Sequence, residues 1–362
     1  MLKAFRMAEL ALAKKPRLTG PLIGTHNGHF HADEALAVYM LRLLPTYTDS
    51  PLVRTRDNEV LKTCHTVVDV GGIYDDKLNR FDHHQREFTT TFPEHNTKLS
   101  SAGLVYMHLG KSVIAQQTGL AETSEEVGIL YEKLYDDFIE AFDANDNGVS
   151  AYDTGKLQEV GITKKFNDRG FSIASVVNRF NYHHDDQVAK TAEDKSPEQQ
   201  QKEEDDRFLL ASAFTGSQFT AELKDTFHAW LPARRIVAKA FAGRKKYDAQ
   251  GRILVLPEGC PFMDHLYKFE EEDGCAGQVL YALIPENDKP DSKWRIRTVS
   301  KVNGGFESRH PLPEKWRGVR DQELDNVSGI SGCVFVHAAG FIGGNKTYEG
   351  ALQMAQKAVD MS

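Results

Sequence analysis

Residues 66–86 read TVVDVGGIYDDKLNRFDHHQR, and this stretch decides the fold. Thr66 to Val70 is a β-branched run cut off by Gly71-Gly72, the pattern of a short buried strand. The strand closes on an acid, Asp69, and a second acid leads a histidine pair in Asp82-His83-His84. Upstream, Leu22 to Thr25 and Pro51 to Thr55 read as further strands, and Asp33 to Leu44 as a helix stopped by Pro45. Strands alternating with helices predict an α/β fold, a parallel sheet with both faces covered by helices.

Further on, apolar residues recur at three- and four-residue intervals from Val127 to Phe142, which predicts an amphipathic helix. The segment 193–206, EDKSPEQQQKEEDD, is polar, acidic and interrupted by Pro197, so it reads as an exposed connection. A helical stretch follows from Arg207 to Ala242. Strands are expected at 252–256, 279–284, 294–297 and 333–336, and a closing helix from Thr347 to Val359. The expected organisation is a basic segment 1–20, a metal-binding catalytic domain 21–190, an acidic linker and connecting helix 191–250, and a smaller α/β substrate domain 251–362.

The composition is that of a globular protein, with 40% hydrophobic and 27% charged residues in 362. A net charge of −8 argues against coating nucleic acid by bulk positive charge and leaves room only for a local basic groove. Four widely spaced cysteines form no C-x-x-C pair, which argues against a disulfide framework or a thiolate zinc site. No run of 18 apolar residues predicts a membrane span. The first 18 residues are basic, acid-poor and amphipathic, as in a mitochondrial presequence or a basic surface helix.

The chemistry concentrates in two clusters. THNGHFHADE, residues 25–34, crowds three histidines and two acids behind a strand, where α/β sheets place ligands. His31 and Asp33 are spaced to converge on one ion, with His26 reaching from the strand end. Asp82, His83 and His84 form the second cluster, and Asp69 is the natural bridge between two ions about 3.5–4 Å apart. Mixed imidazole and carboxylate ligands suit Mn²⁺, Fe²⁺, Co²⁺ or Zn²⁺, with Mn²⁺ the first choice, while Mg²⁺ would be better served by an all-carboxylate site. Neighbouring His83 and His84 cannot face the same way on a strand, so one is assigned to metal and the other to substrate phosphate. DANDNG, residues 143–148, starts like a calcium loop, but position 12 is Thr154. It is therefore read as the source of a last carboxylate, Asp143 or Asp146, with Asp146 preferred. His183-His184 reads as an exposed loop.

For the substrate, His337, Gly343, Gly344, Asn345 and Lys346 read as a glycine-rich anion site before a helix. Arg295, Arg297, Arg309, Arg317 and Arg320 interleave with Trp294, Phe306 and Trp316, the mixture that holds phosphates and stacks bases. Arg86, Arg234 and Arg235 add to the expected binding surface. Single-stranded RNA is the expected substrate. The alternatives are a small phosphoanhydride or cyclic dinucleotide, and RNA binding without turnover.

Asp82-His83-His84, with Asp69 and His31-x-Asp33, resembles the DHH phosphoesterase superfamily. The strings THNGHFHADEALA, VVDVGGIYD, RFDHHQREF, TKLSSAGLVY, WLPAR and VSGISGCVFVHAAGFIGG resemble the melanocyte-proliferating-gene protein family from Leu22 onward. That resemblance implies a DHH-type sheet domain and a manganese- or magnesium-dependent 3′→5′ RNA exonuclease of mitochondrial and nuclear RNA processing. It places metal ligation on His26, His31, Asp33, Asp69, His83 or His84, and an Asp of the 143–146 element. Two departures stand out: Ala35 replaces the second acid of many relatives, and Asn345 stands where many have histidine.

Overall fold

The structure is a computed structural model that describes residues 19–182, 195–302 and 307–361. The basic residues 1–18, His183, His184 and Phe306 lie outside the described residues. The chain forms two compact units, Met1–Thr226 and Phe227–Ser362.

The first unit holds a five-stranded sheet of β1 (Ile23–Thr25), β2 (Leu52–Arg54), β3 (Thr66–Val68), β4 (Tyr74–Asp75) and β5 (Arg80–Phe81), in the order β2-β1-β3-β5-β4. β2, β1, β3 and β5 are parallel, and β4 adds an antiparallel edge. The chain leaves β1 for β2 on one side, then crosses back to β3 on the other. The carboxyl ends of β1 and β3 therefore open the crevice where α/β sheets take ligands.

Among the described residues, eight helices belong to this unit: α1 (Ala32–Arg42), α2 (Asn58–Thr63), α3 (Ser101–Thr118), α4 (Glu125–Leu134), α5 (Glu140–Asp146), α6 (Thr154–Glu159), α7 (Ile173–Phe180) and α8 (Pro197–Asp225). A π-turn, Tyr135–Ile139, joins α4 to α5, so the expected helix 127–142 is present with one register break. α1 is buried on almost every side because α3 and α8 both pack on it. On α8 a Cβ at Gly216 would enter the Tyr39 ring of α1, so glycine sets this close approach.

From Pro197 onward, the acidic stretch expected to be a linker is instead the first part of α8. Ser196 caps it by accepting from the Gln199 amide, Gln199 bonds back to the Ser196 amide, and Pro197 fills the first turn. Pro197 starts this helix; it does not break one.

The second unit carries β6 (Ile253–Val255), β7 (Tyr281–Pro285), β8 (Trp294–Thr298), β9 (Cys333–Val336) and β10 (Ile342–Asn345), in the order β6-β7-β8-β10-β9, with only β6 and β7 parallel. Its helices are α9 (Leu231–Gly243), α10 (Met263–Glu272), α11 (Asp321–Ser328) and α12 (Tyr348–Ala358). Alternate residues of β7 feed opposite faces. Tyr281 and Leu283 pack with Met354 of α12, and Ala282 packs with Val237 of α9 and Leu266 of α10. Among the described residues, no helix is long and apolar enough to cross a membrane.

Candidate metal centre

Three parallel strands end side by side, and each places polar side chains of the cluster where its ladder stops: His26 after β1, Asp69 after β3, and Asp82, His83 and His84 after β5. Asp69 adopts φ 58°, a left-handed conformation uncommon outside glycine, and Gly71 and Gly72 carry the turn onward. The bend seats the carboxylate between two sets of imidazoles. Its Oδ2 lies 3.3 Å from His26 Nε2, and its Oδ1 lies 3.4 Å from His83 Nε2 and 3.6 Å from His84 Nδ1. Ser101, opening α3, donates its hydroxyl to the same Oδ1 at 3.0 Å.

The start of α1 supplies the other side. Glu34 Oε1 is 3.1 Å from His26 Nε2 and accepts the His31 amide at 2.8 Å. Asp33 is buried, and neither of its carboxylate oxygens has a hydrogen-bond partner; Glu34 Oε2 is likewise unpartnered. Asp146, at the end of α5, reaches His83 Nε2 at 2.9 Å, but out of line for a hydrogen bond, so His83 Nε2 is also left without one. Donor atoms therefore gather in three sets: His26, His31, Glu34 and Asp69; Asp69, His83 and His84; and His31, Asp33 and Asp146. Asp69 belongs to two of them.

Electrostatics follow from this crowding of acids. Burial first, and then the charges of Asp69, Asp146 and Glu34, push the Asp33 carboxyl well above the ordinary range. Burial also pushes Asp69 up, but the His26 and His83 imidazoles that face it outweigh burial and hold that carboxyl low. Burial pulls the His26 and His83 imidazoliums down, yet the facing carboxylates raise both to about 10. Buried carboxylate oxygens left bare within reach of imidazole nitrogens have the donor chemistry of a divalent-cation site.

Asp82 does not join these sets. Its Oδ1 accepts from His84 Nδ1 at 2.7 Å and from the His84 amide at 3.1 Å, and its Oδ2 accepts the Gly72 amide at 2.6 Å. It orients His84 and ties down the turn after Asp69. Asp143 is likewise apart. Its Oδ1 accepts from the Ser100 amide and hydroxyl and the Gly103 amide, and its Oδ2 from the Tyr135 hydroxyl. Of the two expected acids, only Asp146 faces the cluster. DANDNG is no calcium loop, since residues 143–146 are helical.

Glu34 and Ser101 were missed by sequence reading. Glu34 is visible in HADE, but its place three residues after His31 resembles a helix cap. Ser101 carries no signal of its own.

Several expected substrate contacts are turned inward. Arg309 pairs through both terminal nitrogens with buried Glu270, at 2.8 and 2.9 Å, and donates to the Val279 carbonyl. Arg317 donates to the Leu312 carbonyl, Arg295 pairs with Glu286, and Trp316 is core. Gly343 and Gly344 lie inside β10, between β8 and β9, where strand partners take the backbone groups a phosphate would need. Asn345 is fully buried, donating to the Ser331 carbonyl and accepting the Thr347 amide, so it pins the entry to α12. Arg234 is half-buried over the Phe269 ring. Arg86, Arg235, Arg320, His337 and Lys346 are exposed.

The MYG1 exonuclease family model, described as "Uncharacterised protein family (UPF0160)", matches residues 22–359. A human protein named MYG1 exonuclease is 44% identical over 345 residues, covering 93% of this chain and 85% of that protein. The Saccharomyces cerevisiae MYG1 protein YER156C is 40% identical over 335 residues, covering 92% of this chain and 94% of that protein. The Dictyostelium discoideum MYG1 protein is 42% identical, covering 94% and 97%.

Proposed function

This chain belongs to the MYG1 exonuclease family (UPF0160), the family its motifs resemble, and from that premise we propose that it is a divalent-metal-dependent 3′→5′ exoribonuclease acting on single-stranded RNA. The observation that carries the reading is Asp69, shared by two histidine-bearing donor sets at the carboxyl ends of β1, β3 and β5. His26, His31, Glu34, Asp69, Asp33, Asp146 and His83 would hold the cations, with Mn²⁺ favoured by the mixed ligands and Mg²⁺ the alternative that the family resemblance allows. When bound, the cations supply Lewis acidity at the phosphate and an acidified water.

The remaining steps fall to the chain's own residues. His84 is largely exposed, and Asp82 holds its Nδ1, which leaves Nε2 to meet phosphate or deliver a proton to the departing oxygen. Ser101 and the backbone bend fix the direction of the Asp69 carboxylate. RNA as substrate, its polarity of cleavage, and work in mitochondria and nucleus rest on the family resemblance, with the basic first 18 residues adding support for a mitochondrial destination.

The test is end-labelled single-stranded RNA incubated with Mn²⁺, comparing the unsubstituted chain with Asp69→Asn and His84→Ala. A ladder receding from the 3′ end, lost in Asp69→Asn, is expected. Equal cleavage by all three proteins would sink the assignment, and cleavage confined to dinucleotides would move it to small-nucleotide chemistry.

A further inference from the structure

The second unit contains a groove of about 640 Å³, formed by α9, the 3₁₀ turn Arg244–Lys246, the end of β6 and Trp294. Its rim carries Arg235 and Lys239, four residues apart and so on one face of α9, together with Lys246. All three are exposed, and among the described residues none forms an ion pair. Four arginines of this unit, by contrast, are neutralised: Arg244 holds Asp273, Arg252 holds Asp248, Arg295 holds Glu286 and Arg309 holds Glu270. The groove lining includes no acid, and its exposed surface is mostly apolar. Two aromatic side chains, Tyr247 and Trp294, border it, and Trp294 is braced edge-on by Tyr348 at 4.9 Å between ring centres.

Unneutralised cations around an apolar floor with braced aromatic rings match one kind of occupant, a phosphodiester strand whose bases are free to stack. A double helix would hide its bases, and an acidic peptide would leave the rings without a flat partner. The volume falls within the range of organic-ligand pockets, enough for a short run of nucleotides and not a whole strand.

We propose that this groove is a second binding site for single-stranded RNA, separate from the metal centre, gripping phosphates with Arg235, Lys239 and Lys246 and stacking a base on Trp294. The inference rests on the RNA reading above for the identity of the strand. Its consequence is an affinity for RNA that does not depend on the metal centre.

The test is fluorescence anisotropy of a labelled 12-nucleotide oligouridine with the full chain in EDTA, so that nothing is cleaved, across a salt series. Both lysines are exposed, so the Lys239→Ala/Lys246→Ala double variant does not threaten folding. In this variant Kd is expected to rise about tenfold near 0.1 M salt, and the slope of log K against log salt to shrink by about 1.4, the share of two phosphate contacts. Unchanged affinity and slope would overturn the groove, as would a polyglutamate peptide competing as well as unlabelled RNA.

Cleavage of the same RNA in Mn²⁺ separates the two readings. RNA held through the groove yet never cut refutes the exonuclease assignment and leaves the groove standing. RNA cut normally, with binding untouched by the double variant, does the reverse.

Discussion

Arg54 Nη1 lies 2.7 Å from Glu204 Oε1, and together they clamp the loop that carries His26 and His31. Arg54 donates to the Gly28 carbonyl at 2.7 Å, while Glu204 accepts the Gly28 amide at 2.6 Å. The guanidinium is wholly buried against the rings of Phe30 and Phe208. Glu204→Ala leaves that charge only Asp205, at 3.4 Å, and is expected to destabilise the chain by about 2 kcal/mol, as for loss of a hydrogen bond to a charged group. Mn²⁺ affinity should fall with it, because the Gly28 amide loses its acceptor and Arg54, the loop's other anchor, loses the carboxylate that positions it. Glu204→Gln, which keeps an acceptor for Gly28, should recover part of both. Thermal unfolding and a Mn²⁺ titration of the three proteins check this, and a Glu204→Ala protein matching the original in both would remove the clamp.

The same pair shows what could be read from sequence and what could not. His26, Asp69, His83 and His84, which the structure brings together, were legible because each follows a short strand in a cluster of His and Asp. Glu204 was not, because EDKSPEQQQKEEDD has the composition of an exposed linker, and its helix depends on apolar residues further along α8. The Ser196-Pro197-x-Gln199 start signal was present but outweighed by charge. In the second unit, Arg309 and Asn345 matched a phosphate site by residue type. Only the three-dimensional partners, Glu270 and the Ser331 carbonyl, reveal that both are structural. Lys239 and Lys246 have no motif; tertiary structure alone brings them beside Trp294.

The left-handed backbone at Asp69 separates the role of the chain conformation from that of the charge. Asparagine tolerates this conformation better than alanine does, by about 1 kcal/mol. Asp69→Asn and Asp69→Ala should both reduce Mn²⁺-dependent turnover at least about a hundredfold, since each removes a carboxylate shared by two donor sets. In EDTA, however, the alanine variant should unfold at lower urea. Equal midpoints for the two variants would show that the bend imposes no strain.

Asp33 tests the cation itself. Its two unpartnered oxygens are buried among other acids, an arrangement that an added cation relieves. Mn²⁺ at about a hundredfold excess over Kd should stabilise the chain by about 2.7 kcal/mol through mass action. Asp33→Asn should abolish most of that gain while leaving the metal-free protein at least as stable as the original. Differential scanning calorimetry with and without Mn²⁺ measures both. A variant that keeps the full metal-induced shift would exclude Asp33 from the site.

Asp143 is the acid that sequence reading offered as a ligand and that instead supports α3. A Cβ at Gly103 would collide with its carboxylate, so the two positions are fitted to one another. Burial pushes the Asp143 carboxyl up to about 7, against the hydrogen bonds from Ser100, Tyr135 and Gly103 that lower it. In the unfolded chain an aspartate titrates near ~3.9. Between those values the folded protein keeps a proton that the unfolded chain has released, so stability falls as pH rises, by about 1.4 kcal/mol per unit. The contribution is complete below about pH 4 and gone above about pH 7. Asp143→Asn carries no titrating group; its Oδ1 still accepts from Ser100 and Gly103, and its Nδ2 faces the Tyr135 oxygen. Urea midpoints in EDTA at pH 5, 6 and 7 should therefore fall more steeply for the original chain than for the variant. Parallel curves would mean that Asp143 is already ionised in the folded protein, held by its donors alone.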